Sequence, residues 1–563
     1  EGWREAPGWF GRRAVTGLAK YWHTLRYLRP VQFYGRLWFR LYRPRPDPRP
    51  APGPRLPNGH WITPPPQPAS MLGPETFRFL NETRAVIGAG AWNDPGCDLL
   101  WRYNLHYFDD LKAADSPTRA AWHDALLQRW VAENPPGVGP GWEPYPTSLR
   151  IVNWIKWALA GHALPPECLH SLAVQTRWLR RRLEYHLLGN HLLANAKALM
   201  AAGIFFAGDE AEQWRAFGQR LLTRELREQI LPDGGHFERS PMYHAILLED
   251  VLDLINLAGH DPETVNADTV GFYRQQATAM THWLSVMGHP DDEISFFNDA
   301  AMGIAPTLAE LVAYGQRLGL DRPATLLRGL TVLPDSGYIR LEAGPAVALL
   351  DVAPVGPDYL PGHAHADTLS FELSLFGQRV IVNGGTSRYG NSPERLAERG
   401  TAAHSTAHID GADSSEVWGG FRVARRARVF AGSVDGPLQI SAAHDGYRRL
   451  SGQPIHRRAW EMTPGQWVVT DTITGEYREA VACFHLHPAS VAEPAIKGQD
   501  SGAQGYLRLP GGQRVQWSLT AGQAQLAPSL WRPEFGHSVP THCLKVRIIG
   551  GKCRMVFSWA DND

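Results

Sequence analysis

The period of the apolar residues changes near Pro334, and that change constrains the fold more than any other feature of the chain. From about residue 75 to 330 apolar side chains return at helical spacing. Trp122, Leu126, Leu127 and Trp130 keep one face, as do Leu247, Leu248, Val251, Leu252 and Ile255. Ile151 to Leu159 is apolar nearly all round and predicts an inner helix. Short breaks such as Gly161 to Pro166, Gly208-Asp-Glu and Leu231 to Gly235 separate these segments. Such a series predicts antiparallel helix pairs in an (α/α) toroid or superhelix. After Pro334 apolar residues alternate, as in Gly337 to Leu341, Ala346 to Val352, Phe371 to Phe376, Val380 to Val382 and Trp467 to Ile473. Phe376-Gly377-Gln378 and Thr463-Pro-Gly-Gln466 read as tight turns between strands. The fold class expected is therefore α+β multidomain, helical first and then all-β in packed antiparallel sheets.

At 563 residues the chain exceeds one ordinary core. The divisions expected are a basic extension with a Pro-rich connector over 1–70, a helical domain over 71–333 and a β-domain over 334–563. Residues 1–45 carry Arg12, Arg13, Lys20, Arg26 and Arg40 among Trp22, Leu25, Tyr27, Trp38 and Phe39. A basic, aromatic, helical segment of this kind suits an anionic membrane surface or chain, or packs along its own domain. The run Pro44 to Pro68 reads as an extended connector. Formal net charge is zero, which argues against a general nucleic-acid binder, and no apolar run is long enough to span a bilayer. The 21 Trp and 17 Tyr suit either sugar-binding platforms or a large aromatic core. Cys97, Cys168, Cys483, Cys543 and Cys553 show no CxxC spacing and read as free or buried thiols with at most one late pair. The first Met is Met71, so a leader removed from the amino terminus is an expectation. Compartment is left open, with a periplasmic or secreted location the expectation; oligomeric state is not readable.

Chemistry-bearing residues cluster in a few places. In Gly362-His363-Ala364-His365-Ala366-Asp367, a strand starting a few residues early would put His363, His365 and Asp367 on one face. Two imidazoles and a carboxylate suit a metal site or proton transfer; the bland alternative is a polar turn. Gly189-Asn190-His191 opens a helix and offers neutral donors toward an anion, or merely a cap. In Arg239-Ser240-Pro241-Met242-Tyr243-His244, Ser-Pro marks a helix start that places Tyr243 and His244 in the first turn. Asn383-Gly384-Gly385-Thr386-Ser387-Arg388-Tyr389 is a Gly-rich loop without the Gly-Lys-Ser/Thr of a phosphate loop, and it is followed by His404-Ser-Thr406-Ala-His408.

Taken in order, these motifs resemble the heparinase II/III-like polysaccharide lyases from roughly Asn104-Leu-His-Tyr-Phe108 to the carboxy terminus. The resemblance implies an N-terminal (α/α) toroid followed by a C-terminal antiparallel β-sandwich. It also implies cleavage of uronate-containing polysaccharides of glycosaminoglycan type by β-elimination. Asn190 and His191 would neutralise the uronate carboxylate, Tyr243 would protonate O4 and also serve as base, and His363 would be the alternative base. Arg239, Arg388, Tyr389 and His244 would bind substrate. His365 and His404 match metal ligands of the family, and Asn383 stands where relatives carry Asp. The expectation is a structural divalent ion, Zn or Mn, with Asp367 near it and outside the ligand set. Four other readings remain. One is an alginate or exopolysaccharide lyase. A glycoside hydrolase would use Glu238 with Asp299. A non-catalytic polysaccharide-binding protein would serve exopolysaccharide assembly. A metallo-hydrolase would need His where the chain has Thr368.

Overall fold

The computed structural model describes residues 18–56, 58–322, 328–493, 496–497 and 503–560; Arg12 and Arg13 lie outside them. Successive helices span Leu99–Tyr107, Ala120–Glu133, Pro144–Leu159, Pro166–Arg181, Gly189–Phe205, Asp209–Gln229, Pro241–His260, Ala267–Met287 and Leu308–Arg317. Their starts follow local chemistry. Ser240 accepts the Tyr243 amide at 3.2 Å with Pro241 in the first turn, and Thr307 with Glu310 forms a capping box. Gly189–Phe205 is buried nearly all round, as is Pro144–Leu159. Its close approach to Asp209–Gln229 depends on Gly203 and Gly218, where an added Cβ would meet backbone at 2.4 and 2.6 Å.

Three short strands, Met71–Gly73, Thr76–Phe79 and Glu82–Ala85, precede the helices where helical character was expected throughout. The signal was there to read. Phe77 and Phe79 alternate, and Leu80-Asn81 turns with φ of 54° and 60°, the geometry of a tight hairpin. Of the Trp residues, Trp92, Trp101, Trp130, Trp154, Trp283, Trp460 and Trp467 are among the largest fully buried side chains, so these seven fill cores, whereas Trp22 and Trp38 are exposed. All five cysteines are free and buried.

Beyond Gly329 the described residues form two nine-stranded antiparallel sheets and a small two-stranded one, Val417–Trp418 with Arg422–Val423. One runs in spatial order from Gln523–Glu534 and His537–Arg547 through Ala480–Leu486, Gln378–Val382, Phe371–Leu375, Ala346–Asp351 and Tyr338–Ala343 to Gly329–Leu333. The other is built around Gln439–His444, Ile455–Thr463, Gln466–Thr474, Lys552–Trp559 and Arg514–Leu519. Leu341, Ala348, Leu373, Ile381 and Phe484 of the first share one apolar core with Trp460, Val469, Trp517 and Phe557 of the second. The two expected turns are present, with Thr463 paired to Gln466 and Leu375 to Gln378.

Residues 362–370 are a loop, since the strand runs only over Phe371–Leu375. The expected one-face alternation of His363, His365 and Asp367 therefore does not apply. Tertiary bonds hold the loop instead. Arg399 donates to the Ala364 carbonyl at 2.8 and 3.2 Å, Thr401 Oγ1 to the Ala366 carbonyl at 2.8 Å, and the Asp299 amide to the His363 carbonyl at 2.9 Å.

Candidate active site

Asp299 is the hub of the site. It is fully buried, ion-paired through both oxygens with Arg395, and accepts His363 Nδ1 and His365 Nε2, each at 2.8 Å. Burial alone would raise its pKa, but Arg395 and the two imidazoles hold it well below the ordinary carboxylate range. Asp299 is thus ionised and fully engaged. Its hydrogen bond fixes His363 with the proton on Nδ1, which leaves Nε2 as the basic nitrogen.

Tyr243 stands beside this dyad. Its ring lies 4.0 Å from the His363 ring, centroid to centroid, and its hydroxyl is 2.9 Å from that of Tyr389. Burial, then the neighbouring Tyr389 and Tyr145 hydroxyls, push the Tyr243 pKa well above the usual phenol range. Tyr243 stays protonated, which suits an acid. Both tyrosines line a cleft of about 560 Å³ together with Tyr145, Tyr107, Asn104 and Asn153. Arg78, Lys112, Lys156 and Lys197 on its wall are balanced by Asp109, Glu249, Asp250 and Glu534. Several pair directly: Lys197 with Asp250 at 2.5 Å, and Lys112 with Glu249 at 3.2 Å.

His191 reaches the cleft through Tyr145, whose ring lies 4.5 Å from it. Its Nδ1 is 3.2 Å from Glu184, which also accepts Asn195 Nδ2 at 3.1 Å. Burial opposes charge on His191, but the Glu184 carboxylate outweighs it and the pKa is raised. Asn190 is buried at the start of the same helix. Glu238 lies against Gly189, 3.6 Å from His363 Nε2, with both carboxyl oxygens buried and lacking a hydrogen-bond partner. Burial raises its pKa, toward the neutral acid.

The expected substrate contacts divide. Tyr389 is in the site. Arg239 is not: its guanidinium donates to the Ser336 and Phe237 carbonyls at 2.9 and 3.1 Å, tying helix start to strand region. His244 is fully buried, accepts the His236 amide at 3.2 Å, bonds the Met280 carbonyl at 2.8 Å and stacks on Trp283. Arg388 faces solvent, 3.7 Å from Glu394. Arg177 and Arg182 are likewise engaged elsewhere, Arg177 with Glu210 and Arg182 with the Phe39 and Tyr42 carbonyls. Arg395, Tyr145 and Glu184 had no local signature; only long-range packing brings them to the site.

Of the expected metal ligands, His365 Nδ1 and His404 Nε2 face each other at 3.2 Å, and burial lowers their pKa values to about 4 and about 3. Neutral imidazoles so placed fit a divalent ion between them. Asn383 Oδ1 accepts the Ser405 amide at 2.9 Å, and among the described residues no Asp, Glu or Cys joins the two histidines in a group of three within ligand reach. Asp367 instead accepts the Asn298 amide at 2.9 Å, holding the segment that carries Asp299.

The site thus joins a helical cleft to residues from an antiparallel β-region. Residues 115–314 match the heparinase II/III N-terminus and residues 325–560 the heparinase II/III-like C-terminal domain. The chain belongs to the heparinase II/III-like family. It is 25% identical over 339 residues to a heparin-sulfate lyase of Bacteroides stercoris, covering 54% of this chain but 46% of that protein. The chain thus spans less than half of that relative's length. It is also 25% identical to FtsZ-localized protein C of Caulobacter vibrioides, over 76% of this chain and 75% of that one. The crystal structure of heparinase III superposes with a TM-score of 0.64 at 18% identity, covering 85% of this chain and 78% of that one. A heparan sulfate lyase of Pedobacter heparinus gives 0.60 at 18%, covering 87% and 82%. At such identities the likeness is one of fold.

Proposed function

We propose that the chain is a polysaccharide lyase that cleaves uronate-containing chains of glycosaminoglycan type by β-elimination. Its helical half is read as an (α/α) toroid and its two sheets as a sandwich, as in the family. The observation that carries the proposal is Tyr243 on the cleft wall, its ring 4.0 Å from that of a His363 held by Asp299. His363 Nε2 takes the C5 proton, the C5–H electrons form the C4=C5 double bond, and the C4–O4 bond breaks as Tyr243 protonates O4. Asp299 stabilises the imidazolium so formed. The raised pKa of His191 supports a cation that neutralises the uronate carboxylate, with Asn190 beside it, so that charge developing at C5 is tolerated.

The balanced charges of the cleft favour sparsely sulfated over densely sulfated chains. A structural Zn or Mn ion, where bound, would be held by His365 and His404 and would tie the 362–367 loop to the Thr401–Ala403 turn. Elemental analysis of wild type against His365→Ala/His404→Ala tests it; equal metal content in both sinks it.

The glycoside hydrolase reading loses support because Asp299 is locked by Arg395 and two histidines, unfit as nucleophile or as base for water. A second reading, a binding protein acting by location, draws on the long match to FtsZ-localized protein C. One experiment separates all three. Incubation with a panel of uronate polysaccharides should raise ultraviolet absorbance, with product masses that lack an added water. Products carrying that water point to hydrolysis, and binding without products points to the second reading.

A further inference from the structure

Nine of the 23 exposed large apolar side chains of the described residues fall within residues 18–41. They are ordered. Leu18, Tyr21, Trp22 and Leu25 recur at helical spacing along the helical residues 18–25, and Phe33, Tyr34, Leu37, Trp38 and Leu41 do so along the helix Pro30–Leu41. The opposite face is docked. Trp418 Nε1 donates to Thr24 Oγ1 at 3.1 Å, Gln32 Nε2 to the Tyr359 carbonyl at 3.1 Å, and Phe39 packs on His186 at 4.2 Å. The segment is thus fixed to the body of the protein with its apolar stripes turned outward.

The charge on this face has one sign. Residues 18–41 contain Lys20, Arg26, Arg29, Arg36 and Arg40 and no acid. Burial, then the positive charges of Arg422 and Arg40, lower the Arg36 pKa. Three acids at its margin are paired: Glu228 with Arg29 at 2.5 Å, Asp358 with Arg426 at 2.7 Å and Glu416 with Arg425 at 3.1 Å.

We infer that the 18–41 face is a docking surface for an anionic phospholipid membrane, on which the protein lies peripherally. Trp and Tyr with Arg flanking an apolar stripe match the headgroup–acyl boundary, where aromatic rings settle and basic side chains meet phosphate. Leu37, Leu41 and Phe33 need an acyl region, which a polyanionic glycan does not have. A self-complementary dimer through this face would set Arg36 and Arg40 against their own copies with no acid to receive them. This surface is separate from the Tyr243 site, so it can fail while the lyase proposal stands.

The test is flotation of the full chain with vesicles of phosphatidylcholine alone or with about 30% phosphatidylglycerol, at low and high salt. Binding to the anionic vesicles is expected, at least about tenfold tighter than to neutral ones and weakened by salt. Leu37→Asp/Leu41→Asp should abolish it and Arg36→Glu/Arg40→Glu should weaken it about tenfold or more, both at unchanged circular dichroism and unchanged polysaccharide cleavage. No vesicle binding by wild type overturns the inference. So does binding that both variants retain, or a dimer that the Leu37→Asp/Leu41→Asp variant dissociates in the absence of vesicle binding.

Discussion

The two halves of the site are built to different degrees of rigidity. On the β-side, His363 and His365 converge on Asp299, Arg395 closes that carboxylate with both oxygens, and Arg399 pins the 362–367 loop. On the helical side, His191 has one bond to Glu184 and a third of its side chain in solvent, and Glu238 has no hydrogen-bond partner. The difference teaches where preorganisation is located. The His363–Asp299 pair is held by a dense buried network, whereas His191 and Glu238 have fewer partners; under the proposed lyase reading the first is the preorganised proton-transfer pair and the second the side that substrate completes.

The comparison can be broken from either side. Tyr243→Phe removes only the hydroxyl between the halves, and cleavage should fall by about 10³-fold, within the usual range for a general acid, while polysaccharide binding survives. Retention of a tenth of wild-type turnover in the absorbance assay would remove Tyr243 from the reaction. Arg395→Met leaves a buried Asp299 carboxylate short of its guanidinium and should cost about 3–5 kcal/mol, read as a lowered thermal transition. A transition unmoved within a degree or two would mean the β-side is not rigid in the way described.

His191→Gln keeps a hydrogen-bonding group but no charge, and turnover should drop by about 10²-fold with a smaller change in KM. The wild-type profile should lose activity on the alkaline side as His191 gives up its proton, above the ordinary imidazole value because its pKa is raised. The sign for stability is the same: the His191–Glu184 contribution is complete below the unfolded imidazole pKa and is lost as pH rises through the raised folded value. An alkaline limb that persists in the His191→Gln variant assigns it to another group. Smallest of all, Arg388→Ala should change turnover and KM by less than about twofold, because its solvated pair with Glu394 contributes little. A larger loss would bring the loop back as a substrate contact.

Residue patterns carried much of this architecture. The switch of period near Pro334, the Ser240-Pro241 helix start and the two hairpin turns are local, set by side-chain spacing and backbone preference within a few residues. The same locality placed Tyr243 in a first helical turn and His363 beside a strand. It failed for Arg239, whose guanidinium is claimed by the Ser336 carbonyl 97 residues on as well as by nearby Phe237, and for His244, claimed by the Met280 carbonyl 36 residues on. It was also blind to Asp299 as a hub, because Arg395 arrives from a sequence separation of 96 residues.

By itself, then, the sequence determined the order of helical and β regions, the candidates for proton transfer and the basic aromatic character of residues 18–41. Tertiary structure decided which candidates meet, which arginines are already engaged and which face of 18–41 stays open. Those outcomes depend on the desolvation and pairing of distant groups, which no local spacing encodes.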